Sequence, residues 1–296
     1  AGLISFLLET RYGMSSPGGL FRIVRPVNSA MMGFAVLVGV AIGGKSLLPS
    51  SVQELALAFF VGFFLSGSAM AVNDYYDREI DVINEPGRPI PSLAVSPGEA
   101  LAVTFVFSVL GLGLAGLTSM GSLLIAALAW VGMMFYSTLG KRTGLPGNLI
   151  VSGCISLPFV YGGFIGGETS LSHSMLFALL AFLTNTGREV TKGVVDIEGD
   201  RASGIRTVAV LRGRDTAAIV SVTSYVLAVL VSVVPVYLHL VSFWYIPFVA
   251  ATDLGLIYLS ISLLREPSRE NSRKVKNWIL PLMLSGLFGF LFGSFI

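Results

Sequence analysis

Runs of about 20 apolar residues recur along the chain between short polar stretches, and each run is long enough to cross a hydrocarbon core of roughly 30 Å as a helix. The pattern predicts nine spans, at 26–44, 52–72, 98–118, 121–139, 147–166, 171–187, 216–238, 243–264 and 278–296. The sixth is the shortest. Nine crossings would place the N-terminal segment and every second loop on one side. All but Lys45 of the 19 basic residues then fall on that side. A bias of that kind marks the cytosolic face, so the N-terminus is expected in the cytosol of a multi-pass cell-membrane protein.

Composition agrees with this reading. Of 296 residues, 54% are hydrophobic and 12% charged, with a mean hydropathy of +0.81, outside the range of a soluble domain. One integral domain, 1–296, is expected, all-α, with its ionisable residues gathered in two long cytosolic cap loops. The net charge is only +2. Because the basic residues share one face, topology and phosphate binding explain them better than nucleic acid, for which no motif is present. The apolar stretch before Glu9 and Arg11 is too short for a span and unlike a cleavable signal, which suggests an interfacial segment. Cys154 is the single cysteine, so no internal disulfide is possible.

The chemistry lies at the ends of two spans. Asn73-Asp74-Tyr75-Tyr76-Asp77-Arg78-Glu79-Ile80-Asp81 follows the second span, and Asp196-Ile-Glu-Gly-Asp200 follows the sixth. If helix continues past the second span, Asn73, Asp77 and Asp81 stand at i, i+4 and i+8 on one face, about 6 Å apart in rise. Asp196 and Asp200 repeat the i, i+4 spacing. Facing one another, the clusters would form an all-oxygen nest of the kind Mg²⁺ prefers, completed by water and substrate phosphate. Zinc is disfavoured, because His173, His239 and Cys154 are remote from the acids and from one another.

Cations accompany the acids. Asn84-Glu-Pro-Gly-Arg-Pro-Ile-Pro-Ser92 contains three prolines and a glycine, which forbid regular helix and predict a shaped loop carrying Arg88 over the site. Arg188, Glu189 and Lys192 precede the second cluster, and one continuous helix would set Lys192 on the face of Asp196 and Asp200. Arg22, Arg25, Tyr136, Lys141 and Arg142 also lie at cytosolic span ends, within reach of the same cavity.

These motifs resemble those of the UbiA family of intramembrane prenyltransferases, with Asn73-Asp74-x-x-Asp77-x-x-x-Asp81 as the first and Asp196-x-x-x-Asp200 as the second. The resemblance covers nearly the whole chain and implies nine helices around a central cavity open toward lipid. Arg25-Pro26-x-Asn28 and the Asn84–Ser92 segment are most similar to the archaeal members that make ether-lipid precursors. Two positions depart: Leu93 stands where glycine often follows the Pro-Ser pair, and Gly193 where an acid often follows the lysine.

The resemblance implies prenyl transfer. Asn73, Asp77, Asp81, Asp196 and Asp200 would hold Mg²⁺, two ions, bridging an isoprenyl diphosphate donor, with Lys192, Lys141 and Arg88 offsetting its remaining charge. The leaving group would then depart and the apolar spans would shield the allylic cation from water. For the archaeal reading the donor is geranylgeranyl diphosphate and the acceptor is the hydroxyl of geranylgeranylglyceryl phosphate, whose phosphate needs cations of its own. Arg22, Arg25 and Arg142 are candidates. Asp74, Asn28, Arg188 and Tyr136 complete the expected substrate contacts.

Plainer readings stand beside these. Arg88 and Lys141 also suit topological anchors, Tyr136 an interfacial anchor, and Asp253, deep in the eighth span, either a functional or a helix-packing group. The Gly-x-x-x-Gly pairs at 39/43, 162/166 and 289/293 suit close helix packing. Two other functions remain open, an enzyme prenylating an aromatic quinone precursor or haem, and a cation transporter. A transporter would place its acids near the bilayer midplane rather than at the cytosolic ends. Donor chain length and oligomeric state are not encoded legibly.

Overall fold

The computed structural model describes residues 17–42 and 52–294, all helix, turn and loop, with no strand among the described residues. Arg11, Lys45 and Gly43, on which parts of the reading above rest, lie outside them, as does most of the expected interfacial segment. A short helix, α1 (Pro17–Ile23), meets α2 (Pro26–Ala41) at a bend of 42°. Proline at the first position of α2 disfavours helix in the residue before it, and Arg25 turns there into a left-handed conformation, φ 45°.

The next helix decides where the chemistry sits. α3 (Val52–Asn84) runs 33 residues, 12 beyond the apolar span expected at 52–72, so the whole Asn73–Asp81 motif is helical. α4 (Pro97–Thr118) opens with a capping box in which the Ser96 hydroxyl accepts from the Glu99 amide and the Glu99 carboxylate accepts from the Ser96 amide. α5 (Met120–Thr138), a 3₁₀ turn (Gly140–Thr143), α6 (Leu145–Gly166) and α7 (Glu168–Val195) follow. The rest comprises α8 (Ile197–Ala202), α9 (Val208–Ser232), α10 (Val234–Tyr237), α11 (Tyr245–Arg265) and α12 (Arg269–Gly293).

Among the described residues, seven helical segments are long and apolar enough to cross a membrane: α3, α4, α5, α6, α9 together with α10, α11 and α12. The bent α1–α2 pair supplies an eighth. The expected sixth span, 171–187, lies within α7, whose 28 residues reach about 42 Å but end in the polar turns bearing Arg188, Glu189 and Lys192.

Sequence neighbours pack against one another, and the ring closes where α2 lies on α6 and α12 lies on α7 and α2. Between lipid-facing helices apolar burial offers little drive, so close backbone approach matters. At the α2–α6 crossing a β-carbon on Gly39 would come within 3.0 Å of the Gly162 Cα. Toward the end of the bundle remote from the acidic motifs, Phe177, Tyr245 and Phe290 form a buried aromatic cluster, with the Phe177 and Phe290 rings 4.5 Å apart. Large apolar side chains such as Phe105, Leu124, Leu230 and Tyr258 point outward, as lipid-facing residues do. The helices α2, α3, α5, α6, α7 and α12 enclose a central cavity of about 370 Å³.

Candidate active site

The extra turns of α3 carry three aspartates that are almost fully buried, Asp74, Asp77 and Asp81. Burying unpaired carboxylates would cost several kcal/mol each, and other elements bring cations to them. The loop after α3 delivers Arg88, whose Nη1 donates to Asp81 at 2.7 Å and Asp74 at 3.1 Å and lies 4.0 Å from Asp77. The 3₁₀ turn after α5 delivers Lys141, 2.5 Å from Asp77, which also accepts from Asn73 Nδ2 at 2.8 Å. Arg25, at the α1–α2 bend, pairs with Asp74. Burial opposes the Arg88 charge, yet Asp81, Asp74 and Asp77 outweigh it and raise the guanidinium pKa above its ordinary value.

The loop that positions Arg88 is held from below. Ile90 is fully buried against Ile23, Val24 and Val95, and the Pro89 carbonyl accepts from the amides of Ala94 and Val95. Arg22 braces it from the surface, donating to the Gly87 carbonyl at 2.7 Å.

The second motif is built differently. The sequence reading put Lys192, Asp196 and Asp200 on one continuous helix; instead α7 ends at Val195, Asp196 sits at the break (φ −97°, ψ 7°), and Asp200 belongs to the short α8. The Gly199 amide donates to Asn84 Oδ1 at 3.2 Å, which pins α8 to the end of α3. A β-carbon at 199 would meet the Asn84 carboxamide carbon at 2.6 Å, so any larger residue must displace that side chain. Docked there, Asp200 comes within electrostatic reach of Asp196, Lys141, Lys192 and Asp77; burial first, then Asp196, pushes its carboxyl up to about 7.

The five-residue nest expected from spacing is not assembled. Among the described residues no three His, Cys, Asp or Glu side chains converge as metal ligands, because Lys141 and Arg88 already engage Asp77 and Asp81. The donor chemistry nevertheless suits a hard cation that needs only one or two carboxylates besides phosphate and water. The ligating atoms on offer are all oxygens, the carboxylates and the Asn73 carbonyl, and Asp196 Oδ1 is buried with no hydrogen-bond partner.

The central cavity runs from this cluster into the bundle. Arg25, Asn28, Asn73, Arg88, Tyr136, Arg188 and Lys192 line it, whereas the aspartates of both motifs stand behind the lining. Further in, the walls are apolar, including Leu65, Trp130, Met133 and Ile155. Of the other expected contacts, Lys141 meets Asp77 outside the lining, Arg142 is exposed and does not line the cavity, and Arg22 belongs to a shallower pocket between α1 and the 85–89 loop. Three residues escaped the sequence reading as site components. Asn84 joins the motifs, and Glu85 and Lys276, paired at 3.1 Å, line the cavity. Lys276 was expected in a loop, but α12 begins nine residues ahead of its apolar span and sets it on the wall.

The site is an apolar chamber inside long apolar helices, closed at one end by buried acid and base, the arrangement of an intramembrane enzyme. Residues 32–287 match the UbiA prenyltransferase family, and the chain belongs to it; it is a prenyltransferase. Among its relatives, digeranylgeranylglyceryl phosphate synthase of Archaeoglobus fulgidus is 31% identical over 280 residues, 93% of this chain and 95% of that protein. A solved structure of a digeranylgeranylglyceryl phosphate synthase superposes with a TM-score of 0.73 at 28% identity, covering 94% of this chain and 98% of the other. The fold is shared by a UbiA homologue from Archaeoglobus fulgidus solved with GPP and Mg²⁺, with a TM-score of 0.59 at 18% identity over 94% and 98% of the two chains.

Proposed function

We propose that this prenyltransferase moves a geranylgeranyl group from its diphosphate to the free hydroxyl of geranylgeranylglyceryl phosphate, yielding an archaeal membrane-lipid precursor. The observation that carries the proposal is the junction of a charged cluster with a deep apolar cavity. The first suits a diphosphate, the second a long prenyl chain. The similarity to digeranylgeranylglyceryl phosphate synthases supports the acceptor.

Asn73, Asp77, Asp81, Asp196 and Asp200 would hold Mg²⁺, two ions, whose charge makes the diphosphate a competent leaving group. Lys141, released from Asp77, together with Arg88 and Lys192, donates to diphosphate oxygens as negative charge develops on them. Breaking of the allylic C–O bond leaves a delocalised cation between apolar walls, where Trp130, Met133 and Ile155 exclude the water that would quench it. The acceptor oxygen then closes the ether bond and loses its proton to the departing diphosphate. Tyr136, Asn28 and Asp74 position the groups around this junction.

The chain is read as one domain crossing the membrane nine times, α7 included, with its N-terminus and site in the cytosol. Cysteines introduced at Arg88 and Arg201 should react with an impermeant reagent from the cytosolic side, and one at His239 from the other. The opposite pattern would remove this topology.

Chemistry is tested by incubating the purified protein and Mg²⁺ with labelled geranylgeranyl diphosphate and competing acceptors. The expected product by mass is glyceryl phosphate carrying two geranylgeranyl chains. Preference for 4-hydroxybenzoate over geranylgeranylglyceryl phosphate would overturn the acceptor while leaving the prenyltransferase class intact.

A further inference from the structure

Two phosphate groups must share one cavity under the function proposed above, and the inference that follows rests on that reading. A protein can hold phosphate through a metal on carboxylates or directly through Lys and Arg donors. The lining of the cavity favours the second of these chemistries. It contains five basic side chains against two carboxylates, while the aspartates lie behind it. Three of the five are Arg188 and Lys192 on α7 and Lys276 on α12, and Asp196 lies within electrostatic reach of both lysines. Their partners are the other charged lining residues. Lys276 pairs with Glu85 at 3.1 Å, Arg188 with Glu189 at 3.2 Å, and Lys192 lies 3.7 Å from Glu189. Two carboxylates therefore face three cations, and Arg188 Nε is buried with no hydrogen-bond partner.

We infer that Lys276 and Arg188 bind the acceptor's phosphate monoester directly, without a metal, with Lys192 standing between it and the donor's diphosphate. The site takes a dianionic head group whose attached apolar chain runs down the cavity. Arg22, in its shallower pocket and spent on the Gly87 carbonyl, has no part in it. Lys276 acts as a substrate-binding and specificity residue.

The test is equilibrium binding of geranylgeranylglyceryl phosphate to the purified full chain, with and without EDTA. Wild-type protein should bind the acceptor equally well in both conditions, within about threefold. Lys276→Gln and, separately, Arg188→Gln should weaken acceptor binding by about tenfold or more, a loss of the size expected for one charge-assisted contact. Donor affinity in Mg²⁺ should change by less than about twofold, and Lys276→Arg should restore most of the acceptor affinity. A wild-type requirement for Mg²⁺ in acceptor binding, or parallel loss of donor and acceptor affinity in both Gln variants, overturns the site. Unchanged acceptor affinity in both Gln variants, with wild type still prenylating the acceptor, overturns the site alone. A wild-type protein that releases diphosphate from the donor yet binds no glyceryl phosphate lipid overturns the acceptor reading and this site with it.

Discussion

The two aspartate motifs are chemically alike and structurally opposite. Asp74, Asp77 and Asp81 ride on one uninterrupted helix and are met by Arg25, Lys141 and Arg88 from three other elements. Asp196 and Asp200 straddle a helix break, make no ion pair among the described residues, and leave Asp196 Oδ1 without a partner. An unsatisfied buried acceptor costs roughly 1–3 kcal/mol. The first motif thus ties the surrounding loops together through its ion pairs, whereas the second leaves a buried carboxylate oxygen unpartnered. That division gives the first motif an architectural part that the second lacks.

Both halves should be needed for turnover, and this is where the largest effect is expected. Asp77→Asn and Asp196→Asn should each lower kcat by at least about 100-fold, since each removes a charge from the diphosphate cradle. Stability should separate them. Asp77→Asn leaves Lys141 facing a neutral partner and should destabilise the protein by about 2 kcal/mol. Asp196→Asn breaks no ion pair among the described residues and changes a side chain with an unpartnered oxygen, so it should leave the unfolding midpoint nearly unchanged. Thermal unfolding in detergent measures the difference, and equal destabilisation by the two variants would erase the contrast.

The contact between the halves is the next place to press. Gly199→Ala drives a methyl group into the Asn84 carboxamide and should shift α8, lowering turnover by about tenfold, because misplacement by about 1 Å costs that much or more. Asn84→Ala removes the same contact without a clash and should have a smaller effect in the same direction. If Gly199→Ala retained full activity, pinning of the second motif by α3 would have no functional weight.

A third measurement needs no catalysis. Added Mg²⁺ should raise the unfolding midpoint of the wild-type protein, because a ligand bound only by the folded state stabilises it. The rise should be lost in Asp196→Asn and only reduced in Asp81→Asn, whose carboxylate Arg88 already neutralises. The reverse ranking would assign the open, metal-seeking role to the first motif.

The sequence carried the helical membrane architecture because apolar run length is a property of single segments. It carried the two motifs and the loop over Arg88 for a related reason, since spacing along a helix and proline placement are local. What stayed hidden depends on where helices begin and stop in polar sequence. Nothing local marks Asp196 as a break, and the polar first turns of α12 read as loop, so Lys276 went unnoticed. The Asn84–Gly199 bond joins residues 115 positions apart, and no pattern within either segment announces it. Asp253, singled out for its depth, accepts from the Ser232 hydroxyl at 2.7 Å, a contact between α9 and α11 that accords with the helix-packing alternative.

The smallest expected effect concerns the loop that carries Arg88. Leu93 has φ 62°, a left-handed conformation that costs a residue with a β-carbon about 1 kcal/mol or more. It persists because the Leu93 amide donates to the Ile90 carbonyl at 3.0 Å, closing the turn above the buried Ile90. Leu93→Gly should remove the steric cost, offset in part by the greater freedom of glycine in the unfolded chain. A net stabilisation of up to about 1 kcal/mol is expected, seen as a raised unfolding midpoint. Turnover should be unchanged, since the Arg88 contacts to Asp74 and Asp81 do not involve this side chain. A lowered midpoint would mean that Leu93 contributes more through packing than its backbone costs. A fall in turnover without loss of stability would mean that the strained turn itself aims Arg88, and that the loop belongs to the working part of the first motif rather than to its support.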